Sequence, residues 1–242
     1  MSDFITTGNP APLEKRGLTI DTCSKWGYHC AVVDKEGVQI ANYKDMSGKL
    51  VGQKLRYGDK RFSIRGELSN LYGQHLWKEG GKRVVVTEGE VDALSMSQAM
   101  DNKWPVVSVP HGAASAKKHI ARSLDWLEKF ESVVFMFDMD DVGRKAAKDC
   151  AGLLSVGKAK IANLPLKDPN DMVTANRSAE LVQASWNAKA FRPDGILGGD
   201  EIWEKLKENP SQASVPYPYD GLNQKTRGMR KGELIVVTAG TG

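Results

Sequence analysis

Carboxylates follow three of the apolar runs of this chain. Glu88 follows Val84-Val85-Val86 within Thr87-Glu88-Gly89-Glu90-Val91-Asp92. Asp138 and Asp140 close the run 132–137 within Phe137-Asp138-Met139-Asp140-Asp141, and Asp168-Pro169-Asn170-Asp171 follows the run ending at Leu164. Asp138 and Asp140 are two residues apart, so on extended backbone their side chains share a face. In open α/β sheets, ligands bind beyond the carboxyl ends of the strands. Three acidic groups on one such edge repel one another unless a cation lies among them. Hard oxygen donors suit Mg²⁺, which keeps several waters and bridges to phosphates. The competing use of such acids is at helix N-termini. That use is preferred for Glu90, Asp92, Asp141 and Asp171. Glu88, Asp138 and Asp140 read as metal ligands, because capping does not require three carboxylates at two strand ends. Asp168, in the third acidic group, is a further contributor.

A second constellation is basic. Between residues 49 and 65 lie Lys49, Lys54, Arg56, Lys60, Arg61 and Arg65, against the single acid Asp59. Lys54 and Arg56 are two apart on a strand and point the same way. Such a run is ordinarily solvated surface; beside an acidic edge it reads as a groove for phosphates or a template strand. Tyr57 and Phe62 interleave with it, and core packing is preferred over base stacking for both.

The elements that must position these groups follow from periodicity. Residues 13–26 read as a short helix. Alternating runs at 28–34, 38–43 and 50–56, separated by Gly37 and Ser47-Gly48, read as an antiparallel meander. From Lys82 the pattern becomes a strand at Val84-Val85-Val86 and a helix over 90–100. A strand at 105–109, a helix over 116–129 and a strand at 132–138 follow. A helix over 141–154, a strand at 158–164 and one or two helices in 171–187 complete the run. Strands alternating with helices imply βαβ units and a parallel sheet. The tail has an amphipathic helix near Ile202 and Leu206, an irregular connector around Pro216 and Pro218, and a buried strand at Leu234-Ile235-Val236-Val237.

The chain has 242 residues, 40% hydrophobic and 26% charged, with a formal net charge of +4. That is ordinary globular composition, and no run approaches the roughly 20 apolar residues of a membrane span. The N-terminus shows no secretory pattern. Cys23, Cys30 and Cys150 form neither a disulfide framework nor a zinc site. The charge is unevenly placed: residues 1–87 carry 14 basic and 9 acidic groups, and residues 88–242 carry 20 and 21.

Glu88-Gly89-Glu90-Val91-Asp92 and Asp138-Met139-Asp140 resemble the two signature motifs of the Toprim fold. Bacterial-type primases, topoisomerases, OLD-type nucleases and RecR repair proteins share that fold. The segments VVVTEGEVDAL, HGAASAKK, MFDMDDVGRKAA and LPLKDPND narrow the resemblance to the primase half of the phage primase-helicases, relatives of the mitochondrial helicase Twinkle. LTIDTCSKWGY, QKLRYGDKRF and GQHLWKEGGK resemble the N-terminal primase subdomain of that family.

The resemblance implies an α/β fold, α+β overall, in which a Toprim-type parallel sheet with flanking helices follows a small mixed antiparallel subdomain. The domains expected are 1–81, 82–192 as the catalytic unit, and 193–242 as a linker helix, over 194–208, and the start of a helicase domain. The activity implied is synthesis of short RNA primers from NTPs on single-stranded DNA. Asp138, Asp140 and Asp168 would hold Mg²⁺, or Mn²⁺ in its place, and Glu88 would serve as ligand or general base. Lysines matching Lys54 and Lys60 take part in primer synthesis in that family. Arg56, His111, Gly112 and Lys117 are expected to contact nucleotide or DNA. Implied partners are a helicase domain or subunit and a primase form carrying the zinc template reader, with no membrane. The setting would be the cytoplasm of a phage-infected bacterial cell.

Two expectations concern the ends. No paired-cysteine zinc domain precedes the catalytic region, so template-specific initiation is expected to need one from elsewhere. Ala239-Gly240-Thr241-Gly242 resembles the opening of a P-loop without its Gly-Lys-Ser/Thr, so no helicase activity is expected of this stretch. The competing readings are a Toprim nuclease or topoisomerase, and a non-catalytic DNA-binding or assembly module.

Overall fold

The computed structural model describes residues 4–59, 61–192, 199–208 and 214–240. Two compact units result, Met1–Pro193 and Asp194–Gly242. The segment read as a single helix over 13–26 is two pieces. A 3-10 turn at Glu14–Arg16 ends at Gly17, whose φ of 63° turns the chain back so that Leu18 bridges Leu13. Helix α1 (Ile20–Trp26) then starts afresh, with the Thr19 side chain accepting from the Thr22 N–H.

Four antiparallel strands follow in chain order: β1 (Tyr28–Val33), β2 (Glu36–Lys44), β3 (Leu50–Tyr57) and β4 (Phe62–Gly66). The meander expected from sequence had three strands. β4 gives no apolar stripe toward the core, since Phe62 and Ile64 are exposed; its ladder to β3 holds it. Gln53, buried in β3, accepts from the Ile5 N–H and donates to the Ile5 carbonyl, both at 2.8 Å. A side chain thus does the work of a neighbouring strand in fastening the N-terminal segment.

The second sheet grows from alternating elements: β5 (Gly81–Thr87), α2 (Glu90–Ala99), β6 (Val106–Ser108), α3 (Ala113–Arg122), α4 (Leu124–Leu127), β7 (Phe130–Met136), α5 (Asp141–Ala151), β8 (Ala159–Ile161), α6 (Pro169–Thr174), α7 (Ser178–Trp186) and β9 (Lys189–Ala190). Its order is β6-β5-β7-β8-β9, parallel through β8, with β9 antiparallel at the edge. Val84 to Val86 and Val133 to Phe137 are buried, as strands covered on both faces must be. The helix expected over 116–129 breaks at Ser123 into α3 and α4.

The sheets share one core. Trp26, Tyr43, Tyr72 and Trp77 pack between them, with ring centroids 5.0–6.4 Å apart. Tyr72 bridges Ser108, and Trp77 Nε1 donates to the Val106 carbonyl at 2.7 Å, so this aromatic cluster fastens onto the β6 edge.

The second unit holds α8 (Gly199–Glu208) and α9 (Asp220–Thr226), and a bridge between Val215 and Met229. The buried strand expected at 234–237 does not form: these residues pair with no strand and are exposed, Leu234 at 91%. Among the described residues no helix is long and apolar enough to cross a membrane.

Candidate active site

The carboxyl ends of β5 and β7 lie side by side, with Thr87 paired to Met136, so Glu88 and Asp138 emerge as neighbours. Glu88 Oε1 accepts from the Ala113 N–H at 3.2 Å and Oε2 from the Asp138 N–H at 3.4 Å. Burial and then the Asp138 charge push the Glu88 carboxyl above the ordinary carboxylate range. Burial raises Asp138 as well, and Asp168 and Asp140 add to it. Lys167, 3.4 Å away, opposes the rise. Asp92 is raised well above its usual value by burial first, then by the charges of Asp168 and Asp138. The acids from three strand ends therefore share one electrostatic field.

Asp140 and Asp168 do double duty. Asp140 Oδ1 accepts from the Gly143 N–H at 2.8 Å and caps α5; Asp168 Oδ1 accepts from the Asp171 N–H at 2.7 Å and caps α6. The caps are thus Asp140 and Asp168, not Asp141 and Asp171, and each uses one carboxylate oxygen. The loops are tied together by the Met139 N–H, which donates to the Lys167 carbonyl at 2.8 Å.

Two glycines permit this geometry. A Cβ on Gly143 would lie 3.0 Å from the Asp138 carbonyl carbon and amide nitrogen, and nearer still to its carbonyl oxygen. Gly112 adopts φ 68°, ψ −168°, a backbone that favours glycine, and opens α3 against Glu88.

These hard oxygen donors suit a divalent cation, whose charge would offset the burial and mutual repulsion that raise Glu88 and Asp138. Among the described residues no group of three or more His, Cys, Asp or Glu side chains is placed to hold a metal ion.

Lys54 reaches this edge from β3. Its Nζ donates to both Glu90 oxygens, at 2.9 and 3.1 Å, and to the Pro110 carbonyl at 2.8 Å. Glu90, expected at a helix N-terminus, does lie in the first turn of α2, but it is buried and also accepts from Tyr43 Oη at 2.5 Å. Phe62 is 54% exposed, which overturns its reading as a core residue. Lys54 and Arg56 lie over its ring, at 5.2 and 5.7 Å from the centroid, as their shared strand face requires. Lys60 lies outside the described residues.

Other expected residues scatter. His111 is exposed, its ring 5.2 Å from that of buried His119. Burial and then the Lys54 charge lower the His111 pKa, with Glu90 opposing and Lys118 adding to the fall, whereas Lys117 acts on Asp149 and Cys150 of α5. Sequence reasoning missed Lys167, Asp92 and Asn170. Buried Asn170 donates to the Arg16 carbonyl and Ser95 Oγ, accepts from Arg16, and gives its backbone N–H to Asp92. Their only sequence signal was membership of the two acidic motifs.

A family model described as the N-terminal a+b fold of the bacteriophage T7 DNA helicase/primase matches residues 8–66, and a Toprim-like model matches residues 85–173. The DNA helicase/primase of enterobacteria phage T3 is 41% identical over 98% of this chain, which spans 43% of that protein's length. The crystal structure of the primase fragment of the bacteriophage T7 primase-helicase is 40% identical, with a TM-score of 0.71. The match covers 77% of this chain and 82% of that one. A second T7 structure shows the lagging-strand DNA polymerase with primase domains of two subunits bound to an RNA/DNA hybrid and dTTP. It is 43% identical, with a TM-score of 0.73 and coverage of 76% and 94%.

Proposed function

The chain belongs to the phage primase-helicase family, matching its primase part, and on that premise we propose that it joins ribonucleotides into short primers on single-stranded DNA. The observation that carries this reading is the gathering of Glu88, Asp138, Asp140 and Asp168 at one sheet edge, with the Lys54 ammonium held beside it.

The reaction is attack of a 3′-hydroxyl on the α-phosphate of an NTP, with pyrophosphate leaving. Asp138, Asp140 and Asp168 would hold the divalent cation, Mg²⁺ or Mn²⁺, which when bound lowers the hydroxyl pKa and neutralises phosphate charge. Glu88 serves there as ligand or as general base, its oxygens oriented by two backbone N–H groups. Lys54, Lys60 and Arg56 receive phosphates, and Phe62 offers a face for a base. His111, Gly112 and Lys117 belong to the loop and helix after β6 and would border the nucleotide. The partners proposed are template DNA, NTPs, a helicase domain and a zinc-bearing primase form, in a phage-infected bacterial cell. The T7 complex adds a replicative polymerase to them.

Asp138→Ala is expected to abolish primer extension with Mg²⁺ while single-stranded DNA binding persists. Radiolabelled extension products from that variant would refute the assignment. Nicking of plasmid DNA in place of extension would favour a Toprim nuclease.

A further inference from the structure

Glu90 has no part in the chemistry proposed above, yet it is only 8% exposed and takes partners from two strands of the other sheet. An acid in the first turn of a helix is already favoured by the backbone N–H groups and needs no lysine there. Here both carboxylate oxygens engage Lys54 of β3, and Tyr43 of β2 donates to one of them. Lys54 spends a further donor on the Pro110 carbonyl, in the loop that leads into α3, whose Ala113 N–H holds Glu88. A lysine ammonium is a point charge on a flexible stem with three donors. Two carboxylate oxygens and a fixed carbonyl leave it one place to stand.

We propose that Glu90 is a positioning residue: with Tyr43 behind it, it holds the Lys54 ammonium at a fixed point against the loop between β6 and α3, so that its charge, and a donor exchanged from Glu90 or Pro110, meets the triphosphate of the incoming nucleotide. This rests on the reading of Lys54 as a phosphate contact. Removing one partner of a buried pair leaves the other charge uncompensated. Without the Glu90 carboxylate, Lys54 therefore leaves its place, and its phosphate contact goes with it. Glu90 and Lys54 then act as one unit, and losing either equals losing both.

The test is a double-mutant cycle on the full chain. Wild type, Glu90→Gln, Lys54→Ala and the double variant extend a diribonucleotide on a single-stranded DNA template with ATP as the incoming nucleotide. ATP affinity is measured on the same four proteins at equilibrium. Each single variant is expected to lose roughly 10- to 100-fold in kcat/KM, the scale of a lost charge-assisted hydrogen bond. The double variant should lose no more than Lys54→Ala alone, and ATP affinity should fall in the same non-additive way. Tyr43→Phe, which removes only the hydroxyl, should lose roughly 2- to 10-fold with Lys54 present and nothing with Ala at 54. A merely structural Glu90 would give additive losses. Additive losses, or a Glu90→Gln variant that extends and binds as wild type does, would overturn the proposal. If wild type extends nothing, the primase reading fails, and the ATP cycle alone decides: non-additive coupling supports the pairing, additivity or no ATP binding refutes it.

Discussion

Gly143→Ala sets two effects of opposite sign against each other. Gly143 lies in the first turn of α5, and inside a helix alanine is favoured over glycine by about 1 kcal/mol. Propensity alone therefore predicts a more stable protein. The packing predicts otherwise. The added Cβ would sit 3.0 Å from two backbone atoms of Asp138 and closer to its carbonyl oxygen, where ordinary contact begins at 3.4 Å. A backbone neighbour cannot swing aside, so α5 and the β7 end must part by roughly 1 Å, at an overpacking cost of about 1–3 kcal/mol. The net expectation is a loss of about 0–2 kcal/mol, centred near 1, or roughly 2–4 °C in melting temperature at that centre for a unit of this size. The Gly143 N–H also holds Asp140, so both candidate ligands move, and a 1 Å misplacement costs on the order of 10²-fold in rate. Thermal melts and primer extension read the two arms. Gly152→Ala is the control: with φ −68° and its nearest neighbour atom 3.6 Å away, it should stay within about 1 kcal/mol of wild type and keep full activity. If Gly143→Ala melts at or above wild type and extends primers normally, the close approach of α5 to Asp138 is refuted.

Buried His119, pushed down to about 4 by burial and the His111 charge, takes up its proton in the unfolded chain at 6.5 and in the folded one only near 4. Its contribution to stability is therefore present above pH 6.5 and lost as pH falls from there toward 4; urea melts at pH 7.5, 6 and 5 should show a shallower decline for His119→Asn than for wild type, and equal slopes would refute this. Asn170→Ala removes the donors to the Arg16 carbonyl and Ser95 Oγ and the acceptor of the Arg16 guanidinium, and should cost about 2–3 kcal/mol by chemical denaturation, whereas a change under about 0.5 kcal/mol would show that the network is dispensable. Phe62→Ala should leave stability within about 0.5 kcal/mol but weaken single-stranded DNA binding roughly 5- to 100-fold by fluorescence anisotropy; unchanged affinity would remove Phe62 from the template path.

The alternation of strands and helices after residue 81 was legible because strands buried on both faces are continuous apolar runs that need no context to be recognised. The edges were not. β4 and β9 carry no inward stripe and exist only through ladders to β3 and β8. Leu234-Ile235-Val236-Val237 shows the converse: an apolar run without a partner strand forms no ladder. Within the site, the location of Glu88, Asp138, Asp140 and Asp168 after the strands was readable. Which acids cap helices was off by one residue at α5 and three at α6, because the cap depends on where the chain bends.

By itself the sequence determined the layered order of elements, the acids at the strand ends and the two-residue spacing that aligns Lys54 with Arg56, since these depend on local periodicity and chain direction. Only the tertiary structure decided what those side chains meet. Glu90 opens α2 and Lys54 lies in β3, 36 residues apart, and Asn170 reaches Arg16 across 154 residues. A carboxylate beside a helix N-terminus is satisfied by its own backbone in any sequence-level account. Its engagement by a lysine and a tyrosine from another sheet is a matter of distance and burial, which exist only once the sheets have packed.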